Sequence, residues 1–134
     1  MVQPLVENAR KPGRILVVDD EVNLALTLKD GLNKLPNCEI AMATSAEEAL
    51  QLFAEQPFDL LITDYRMPGI DGLALATRIR RLYPLTAIVM MSAYGSDDLR
   101  ERATRASIRH FLDKPVQLTD LRLAVLEALS QPKR

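Results

Sequence analysis

Apolar residues recur along this chain with two periods that alternate. Short apolar or alternating runs predict strands near residues 15–18, 38–42, 58–63, 86–91 and 108–112. After each run, apolar residues recur at spacings of three and four, as on the buried face of a helix. These helical positions are Ala25, Leu28, Leu32 and Leu35; Ala46, Ala49, Leu50 and Phe53; Leu75, Ala76, Ile79 and Leu82; Leu99, Ala103 and Ala106; and Leu118, Leu121, Val125 and Leu129.

Five strand and helix pairs with short links predict an α/β fold. Parallel strands need crossover helices, which then cover both faces of one sheet. The third and fourth strands are nearly continuous apolar runs, whereas the second and fifth include Glu39, Arg109 and His110, which is typical of edge strands. We therefore predict a doubly wound, five-stranded parallel sheet of order 2-1-3-4-5, with a ligand crevice between strands one and three.

Short sequence motifs indicate where the second helix begins and where the third strand ends. Ser45 followed by Glu48 forms a capping box that predicts a helix start at Ala46. The segment Met67-Pro68-Gly69 cannot continue a regular element. Asp64, which ends the third strand, is therefore expected on an exposed rim.

Composition restricts the class of protein. The chain has 134 residues, 48% of them apolar, which suits one domain with a real core. Lys and Arg total 17 against 18 for Asp and Glu, so we expect neither direct nucleic-acid binding nor a membrane partner. Cys38 is the single cysteine, and no apolar run reaches the length of a membrane span. A cytoplasmic protein is expected.

Three carboxylates follow strands that are predicted to be neighbours. Asp19 and Asp20 end strand one, and Asp64 ends strand three. Like charges about 4 Å apart repel by about 4 kcal/mol at an effective dielectric constant of 20, so a cation is needed, and oxygen ligands suit Mg²⁺. Ser92 and Lys114 follow strands four and five. A hydroxyl, an ammonium group and a metal beside a nucleophilic Asp64 suit phosphoryl transfer.

The segments "VVDDE", "ITDYRMPGIDG", "MMSA" and "FLDKP" occur in this order at the strand ends. Together, over about residues 14–130, they resemble the receiver domain of two-component response regulators, which has a flavodoxin-like (CheY-like) fold. The resemblance implies that Asp64 is the phospho-acceptor and that Asp20 binds Mg²⁺ (or Mn²⁺) directly. Asp19 would act mostly through water, and the Arg66 main-chain carbonyl would complete the metal site.

The resemblance also implies a reaction and partners. A histidine kinase or phosphotransfer protein would donate its phosphoryl group to Asp64, which Lys114 and Ser92 would assist. The domain would be a signalling receiver that promotes its own phosphorylation and dephosphorylation, rather than an enzyme. As Ser92 moves, Phe111 would turn inward and alter the surface of helix four, strand five and helix five. That surface is also a candidate for receiver homodimerisation.

Other interpretations stay open for single residues. Asp19-Asp20 also suits a cap of the first helix, Phe111 an ordinary core residue and His110 a surface or packing role. Four arginines suit either a partner-binding face or a solvated face: Arg100, Arg102, Arg105 and Arg109. For the whole domain, a phosphohydrolase of the haloacid dehalogenase type is disfavoured because it would carry D-x-D after strand one. A degenerate receiver is disfavoured because no functional group is missing.

Arg66 and Tyr94 each lie two residues beyond a site residue, Asp64 or Ser92. We expect the guanidinium to stack on the phenol ring and to shield the phosphoryl group from water, which would slow its hydrolysis. The alternative, in which both side chains point to solvent, is also open.

The boundaries of the domain follow from the same pattern. Residues 1–13 are expected to be a flexible leader, 14–130 the receiver domain and 131–134 a tail or the start of a linker. The chain suits either a stand-alone receiver or a receiver from a longer regulator, and we favour the second, in which a covalently linked output domain lies outside this chain.

Overall fold

Five strands and five helices alternate along residues 13–93 and 97–130, the part of the chain that the computed structural model describes. The strands are β1 Gly13–Val18, β2 Cys38–Ala43, β3 Leu60–Asp64, β4 Ala87–Ser92 and β5 His110–Asp113. The helices are α1 Val22–Leu32, α2 Ala46–Glu55, α3 Gly72–Leu82, α4 Asp97–Arg105 and α5 Leu118–Ser130. The predicted alternation is confirmed, and β1 starts one residue before the predicted domain boundary.

The sheet is parallel throughout and has the order β2-β1-β3-β4-β5. This confirms the predicted order and the two predicted edge strands. In register, Val18 lies beside Thr63, and Ser92 lies beside Asp113. The strands therefore all end at one edge of the sheet, where the next residue of each can meet its neighbours.

The fifth strand begins two residues later than the periodicity predicts. Ser107 has a φ of 66°, in the left-handed region, and the amide of Ile108 donates to the carbonyl of Ala103. Ile108 therefore belongs to the turn that closes α4, although its side chain is buried in the core. An apolar residue in a turn looks the same in sequence as one in a strand, which explains the difference.

Two apolar clusters fill the two sides of the sheet. One joins the sheet to α2, α3 and α4 and includes Leu16, Phe53, Leu61, Ile79, Met90 and Ala103. The other joins it to α1 and α5 and includes Ile15, Leu28, Ile62, Leu121 and Val125. Helices therefore cover both faces, as predicted.

In the described part of the chain, no helix combines the length and the apolar character that a membrane crossing requires.

The edge of the sheet where the strands begin is held by Arg14. Its amide donates to Asp59 Oδ2 at 2.8 Å, its guanidinium lies 4.5 Å from the centre of the Phe58 ring, and it forms an ion pair with Glu39. Its Nε also donates to the carbonyl of Pro57 at 3.2 Å. One side chain thus ties β1 to β2 and to the segment that leads into β3.

The predicted Ser45 cap is present at α2, and the return bond of Glu48 reaches Thr44, the residue before the cap. Glu48 N donates to Ser45 Oγ at 3.1 Å, and the Glu48 carboxylate accepts from the amide of Thr44 at 2.8 Å. At α1, Glu21 occupies the cap position without a side-chain cap bond, and its amide donates to Asp19 Oδ1. The acidic pair therefore precedes the cap of α1 and is available for another role.

Helix α3 starts in close contact with the end of β3. The amide of Gly72 donates to the carbonyl of Tyr65 at 2.7 Å, and a Cβ at Gly72 would lie 2.0 Å from the carbonyl oxygen of Asp64. Asp71 caps this helix through Oδ1, which accepts from the amide of Ala74 at 2.8 Å. Only glycine allows this approach without moving the backbone of Asp64.

We expect Gly72→Ala to destabilise the protein by about 1–3 kcal/mol, the usual cost of forcing atoms into a packed site. Gly31→Ala is the matched control, because its Cβ would meet the flexible end of the Leu118 side chain and would raise the helix propensity of α1. Urea unfolding would measure both. Equal midpoints for Gly72→Ala and the wild type would contradict the contact.

Candidate functional site

Three aspartates meet at the carboxyl edge of the sheet. Asp19 is fully buried and Asp20 is exposed. Asp64 is only 6% exposed, so the expectation of an exposed position was wrong, because the elements around the end of β3 cover its side chain. One carboxylate oxygen from each lies within 4.8 Å of the others. The convergence predicted from the strand ends is therefore present in the fold.

Lys114 lies between two of these carboxylates. Its Nζ is 3.0 Å from Asp19 Oδ2 and 3.2 Å from Asp64 Oδ2, and its side chain is only 14% exposed. The amide of Lys114 donates to the carbonyl of Ser92 at 2.8 Å, which fixes this residue against the end of β4. The sequence predicted this lysine as a phosphoryl contact, whereas its contact with both carboxylates was missed.

Burial and the charge of the partner across the Asp64–Lys114 pair shift the pKa of each group in opposite directions. Burial raises the pKa of Asp64, the charge of Lys114 lowers it and the charge of Asp19 raises it, with a net increase. Burial alone would lower the pKa of Lys114, but its hydrogen bond to Asp19 and the charge of Asp64 outweigh burial and raise it. Lys114 is therefore a cation at neutral pH.

The donor set fits a hard divalent cation. Asp19, Asp20 and Asp64 offer carboxylate oxygens within 4.8 Å of one another, and oxygen is the ligand that Mg²⁺ prefers. One lysine leaves these three carboxylates with excess negative charge, so a further cation is favoured electrostatically. Neither imidazole nor thiolate belongs to this cluster, so its chemistry does not favour a softer transition metal.

An open cleft of about 420 Å³ adjoins the cluster. It is lined by Asp20, Tyr65, Arg66, Met67, Pro68, Gly69 and Asp71. Gly69 has a φ of 79°, which allows the loop after β3 to turn around the cleft. The sequence did not identify Asp71 as a cleft residue, although an aspartate before a glycine at a helix start is a readable capping signal.

The other predicted site residues lie on neighbouring elements. Ser92 is 2% exposed at the end of β4, and Phe111 in β5 is half-buried against the α2–α3–α4 side of the core. Arg66 is exposed beside the cleft. Tyr94 lies outside the described residues, so the predicted Arg66–Tyr94 stacking stays a prediction.

The three arginines of α4 that the sequence highlighted, Arg100, Arg102 and Arg105, make intramolecular contacts. Arg102 Nε is 3.3 Å from Asp98, and Arg105 is 3.2 Å from Glu101, both within α4. Arg102 also donates to the Tyr65 hydroxyl at 3.3 Å, which connects α4 to the residue after Asp64. Arg100 instead contacts β5.

His110 lies in β5, and its Nδ1 is 3.8 Å from Glu127 Oε1 of α5, in keeping with a packing role.

Comparison with known proteins places this chain in a family. The family model for the response regulator receiver domain matches residues 15–126. The chain belongs to this family. Receivers are signalling domains of two-component systems, and the strand order observed here is that of the CheY-like, flavodoxin-like fold.

Similar proteins differ in length. Response regulator protein PilR of Pseudomonas aeruginosa is 39% identical over 116 residues, which are 87% of this chain but 26% of PilR. The probable chemotaxis protein CheY of Rhizobium etli is 31% identical over 115 residues, 84% of this chain and 88% of that protein. This chain thus spans about a quarter of PilR and nearly all of that CheY.

Solved structures show the same architecture. The receiver domain of NtrX from Brucella abortus superposes with a TM-score of 0.81 at 31% identity, covering 88% of this chain and 99% of that one. The signal receiver domain of an HD domain-containing protein from Pseudomonas fluorescens Pf-5 gives 0.82 at 33% identity, with 90% and 95% coverage. The receiver fold is thus shared along nearly the whole length of these domains.

We expect Lys114→Ala to lower the free energy of unfolding by about 1–3 kcal/mol in EDTA, because two buried carboxylates lose their cation. Millimolar Mg²⁺ should reduce this loss by supplying positive charge to the same acids. Lys34→Ala, which removes an exposed lysine, is the control. Urea unfolding with and without Mg²⁺ measures the effect, and equal losses in the two variants would rule out a counterion role for Lys114.

Proposed function

We propose that this chain is a phosphorylatable receiver in which Asp64 accepts a phosphoryl group from a phosphohistidine. The donor would be a histidine kinase or a phosphotransfer protein. The observation that carries the proposal is the position of Lys114 Nζ, within 3.2 Å of carboxylate oxygens of both Asp19 and Asp64 beside an open cleft. A nucleophile, a cation and an acidic cluster are thereby held together before any donor binds.

The transfer is an in-line displacement at phosphorus. A carboxylate oxygen of Asp64 forms the new O–P bond, and the bond from phosphorus to the donor imidazole nitrogen breaks, with its electron pair returning to that nitrogen. Lys114 moves its contact from the carboxylates to an oxygen of the incoming group, and the Ser92 hydroxyl donates to another. The products are the receiver with an aspartyl phosphate at Asp64 and the donor protein with its free histidine.

Asp19, Asp20 and Asp64 are the residues that would hold Mg²⁺ or Mn²⁺, with the main-chain carbonyl of Arg66. When bound, the ion supplies positive charge that offsets repulsion between these acids and the anionic phosphoryl group. Asp19 is buried and bonded to Lys114 and to the amide of Glu21. We assign it an indirect, water-mediated role, whereas the exposed Asp20 is free to approach the ion.

Phosphorylation would be sensed through Ser92 and Phe111. As Ser92 turns to the phosphoryl group, it vacates space into which the half-buried Phe111 ring rotates. The consequence would be a changed surface of α4, β5 and α5. That surface would contact a covalently linked output domain, a second receiver or another cytoplasmic partner.

We expect a small acyl phosphate to add about 80 Da, the mass of one HPO₃ unit, to the wild type in the presence of Mg²⁺. The gain should be absent in Asp64→Asn and in EDTA, because both the nucleophile and the cation are needed. Asp30→Asn, an exposed aspartate on α1, is the control and should be modified normally. Intact-protein mass spectrometry reads the result, and modification that persists in Asp64→Asn would refute the assignment.

The proposed shielding by Arg66 and Tyr94 predicts slow self-hydrolysis. Removing both side chains should speed the loss of the phosphoryl group several-fold, since each tenfold corresponds to about 1.4 kcal/mol in the barrier. Arg81→Ala, an exposed arginine at the other end of α3, is the control. Decay of the 80 Da adduct after the donor is removed measures the lifetime. An unchanged decay rate in the Arg66→Ala/Tyr94→Ala variant would contradict the shielding.

A further inference from the structure

Arg100 of α4 makes two different contacts with β5. Its Nη2 lies 2.8 Å from both carboxylate oxygens of Asp113. Its guanidinium carbon lies 4.5 Å from the centre of the Phe111 ring. One planar cation therefore binds an anion and an aromatic face at the same time.

The two residues that Arg100 contacts have a special position in the strand. Phe111 and Asp113 are two apart, so their side chains lie on the same face of β5. Asp113 pairs in register with Ser92 and directly precedes Lys114. Arg100 thus connects α4 to the strand segment between the aromatic ring and the site lysine.

The neighbouring arginines of α4 make no comparable bridge to β5 among their ion pairs. Arg105 pairs with Glu101 and Arg102 with Asp98, each four residues away in the same helix. These pairs stabilise α4 itself. Among the described arginines of α4, Arg100 is the one whose ion pair reaches a strand.

We propose that Arg100 is a clamp that stabilises the unphosphorylated arrangement of α4 and β5. This inference rests on the proposed function, in which Phe111 turns inward after phosphorylation. Inward rotation removes the ring from the guanidinium, so the switched state loses the cation–π contact. The clamp therefore opposes the switch, and phosphorylation must overcome it.

The size of the effect follows from exposure. The Arg100 side chain is 42% exposed and that of Asp113 is 62% exposed, so water screens the pair and the contact is modest. A cation–π contact at an exposed site is also modest. We expect Arg100→Ala to raise the ratio of switched to unswitched receiver about five-fold. A contact of this strength biases the switch without blocking it.

The first measurement follows the ring directly. The chain has three phenylalanines, so 4-fluorophenylalanine labelling gives three ¹⁹F resonances. Phe53 and Phe58 are buried and serve as internal references. In Arg100→Ala without a phosphoryl group, the Phe111 resonance should move towards its position in wild type saturated with beryllofluoride and Mg²⁺. Arg105→Ala should leave it in place.

The second measurement uses affinity. Because a ligand that selects the switched state binds more tightly when that state is more populated, Arg100→Ala should bind beryllofluoride about five-fold more tightly. Asp113→Asn removes the ion pair but keeps the ring contact, so its affinity should fall between those of wild type and Arg100→Ala. Arg105→Ala should bind like the wild type.

The outcomes separate two failures. If wild type binds beryllofluoride but Arg100→Ala shows unchanged or weaker affinity and an unmoved Phe111 resonance, the clamp is refuted and the proposed function stands. If wild type does not bind beryllofluoride with Mg²⁺, the proposed function fails and the clamp fails with it. Tighter binding in both Arg100→Ala and Arg105→Ala would assign the effect to lost charge and would also refute the clamp.

Discussion

The excess of negative charge at the carboxyl edge of the sheet is the constraint on which the site depends. Asp19 and Asp64 are buried, and Lys114 is the one cation among the described residues whose ion pairs bridge them. Full neutralisation would remove the attraction for a metal, whereas no neutralisation would make burial of two acids too costly. Lys114 neutralises the acidic cluster only in part. The acids can therefore be buried, and their remaining negative charge still attracts a cation.

The fold meets this constraint through register and one close contact. Parallel strands of order β2-β1-β3-β4-β5 end at the same edge, so residues far apart in sequence become neighbours. The absence of a side chain at Gly72 lets α3 start against the backbone of Asp64. The position of Asp64, the proposed acceptor, is therefore set by main-chain packing, which is stiffer than a side-chain contact.

Sequence reasoning predicted the features that depend on local pattern or on strand order. The alternation of elements, the edge strands, the Ser45–Glu48 cap and the meeting of Asp19, Asp20 and Asp64 were predicted because each follows from period or topology. It missed the contacts of Lys114 with two acids and of Arg100 with Asp113, since long side chains have many rotamers and only tertiary packing selects one. The predicted start of β5 was two residues too early, because Ile108 is buried without being in a strand.

Arg14 binds Glu39, Asp59 and the Phe58 ring at the edge of the sheet opposite the site. It lies five residues before Asp19 along the chain, about 16 Å in extended conformation. The residues that hold the sheet together at this end are thus physically separate from those proposed to perform chemistry at the other. Mutations at the Arg14 end are therefore expected to change how much folded receiver a cell contains without touching the proposed site. Mutations at the Asp64 end can change both the amount of folded receiver and its proposed activity, because Gly72 and Lys114 support the fold there as well.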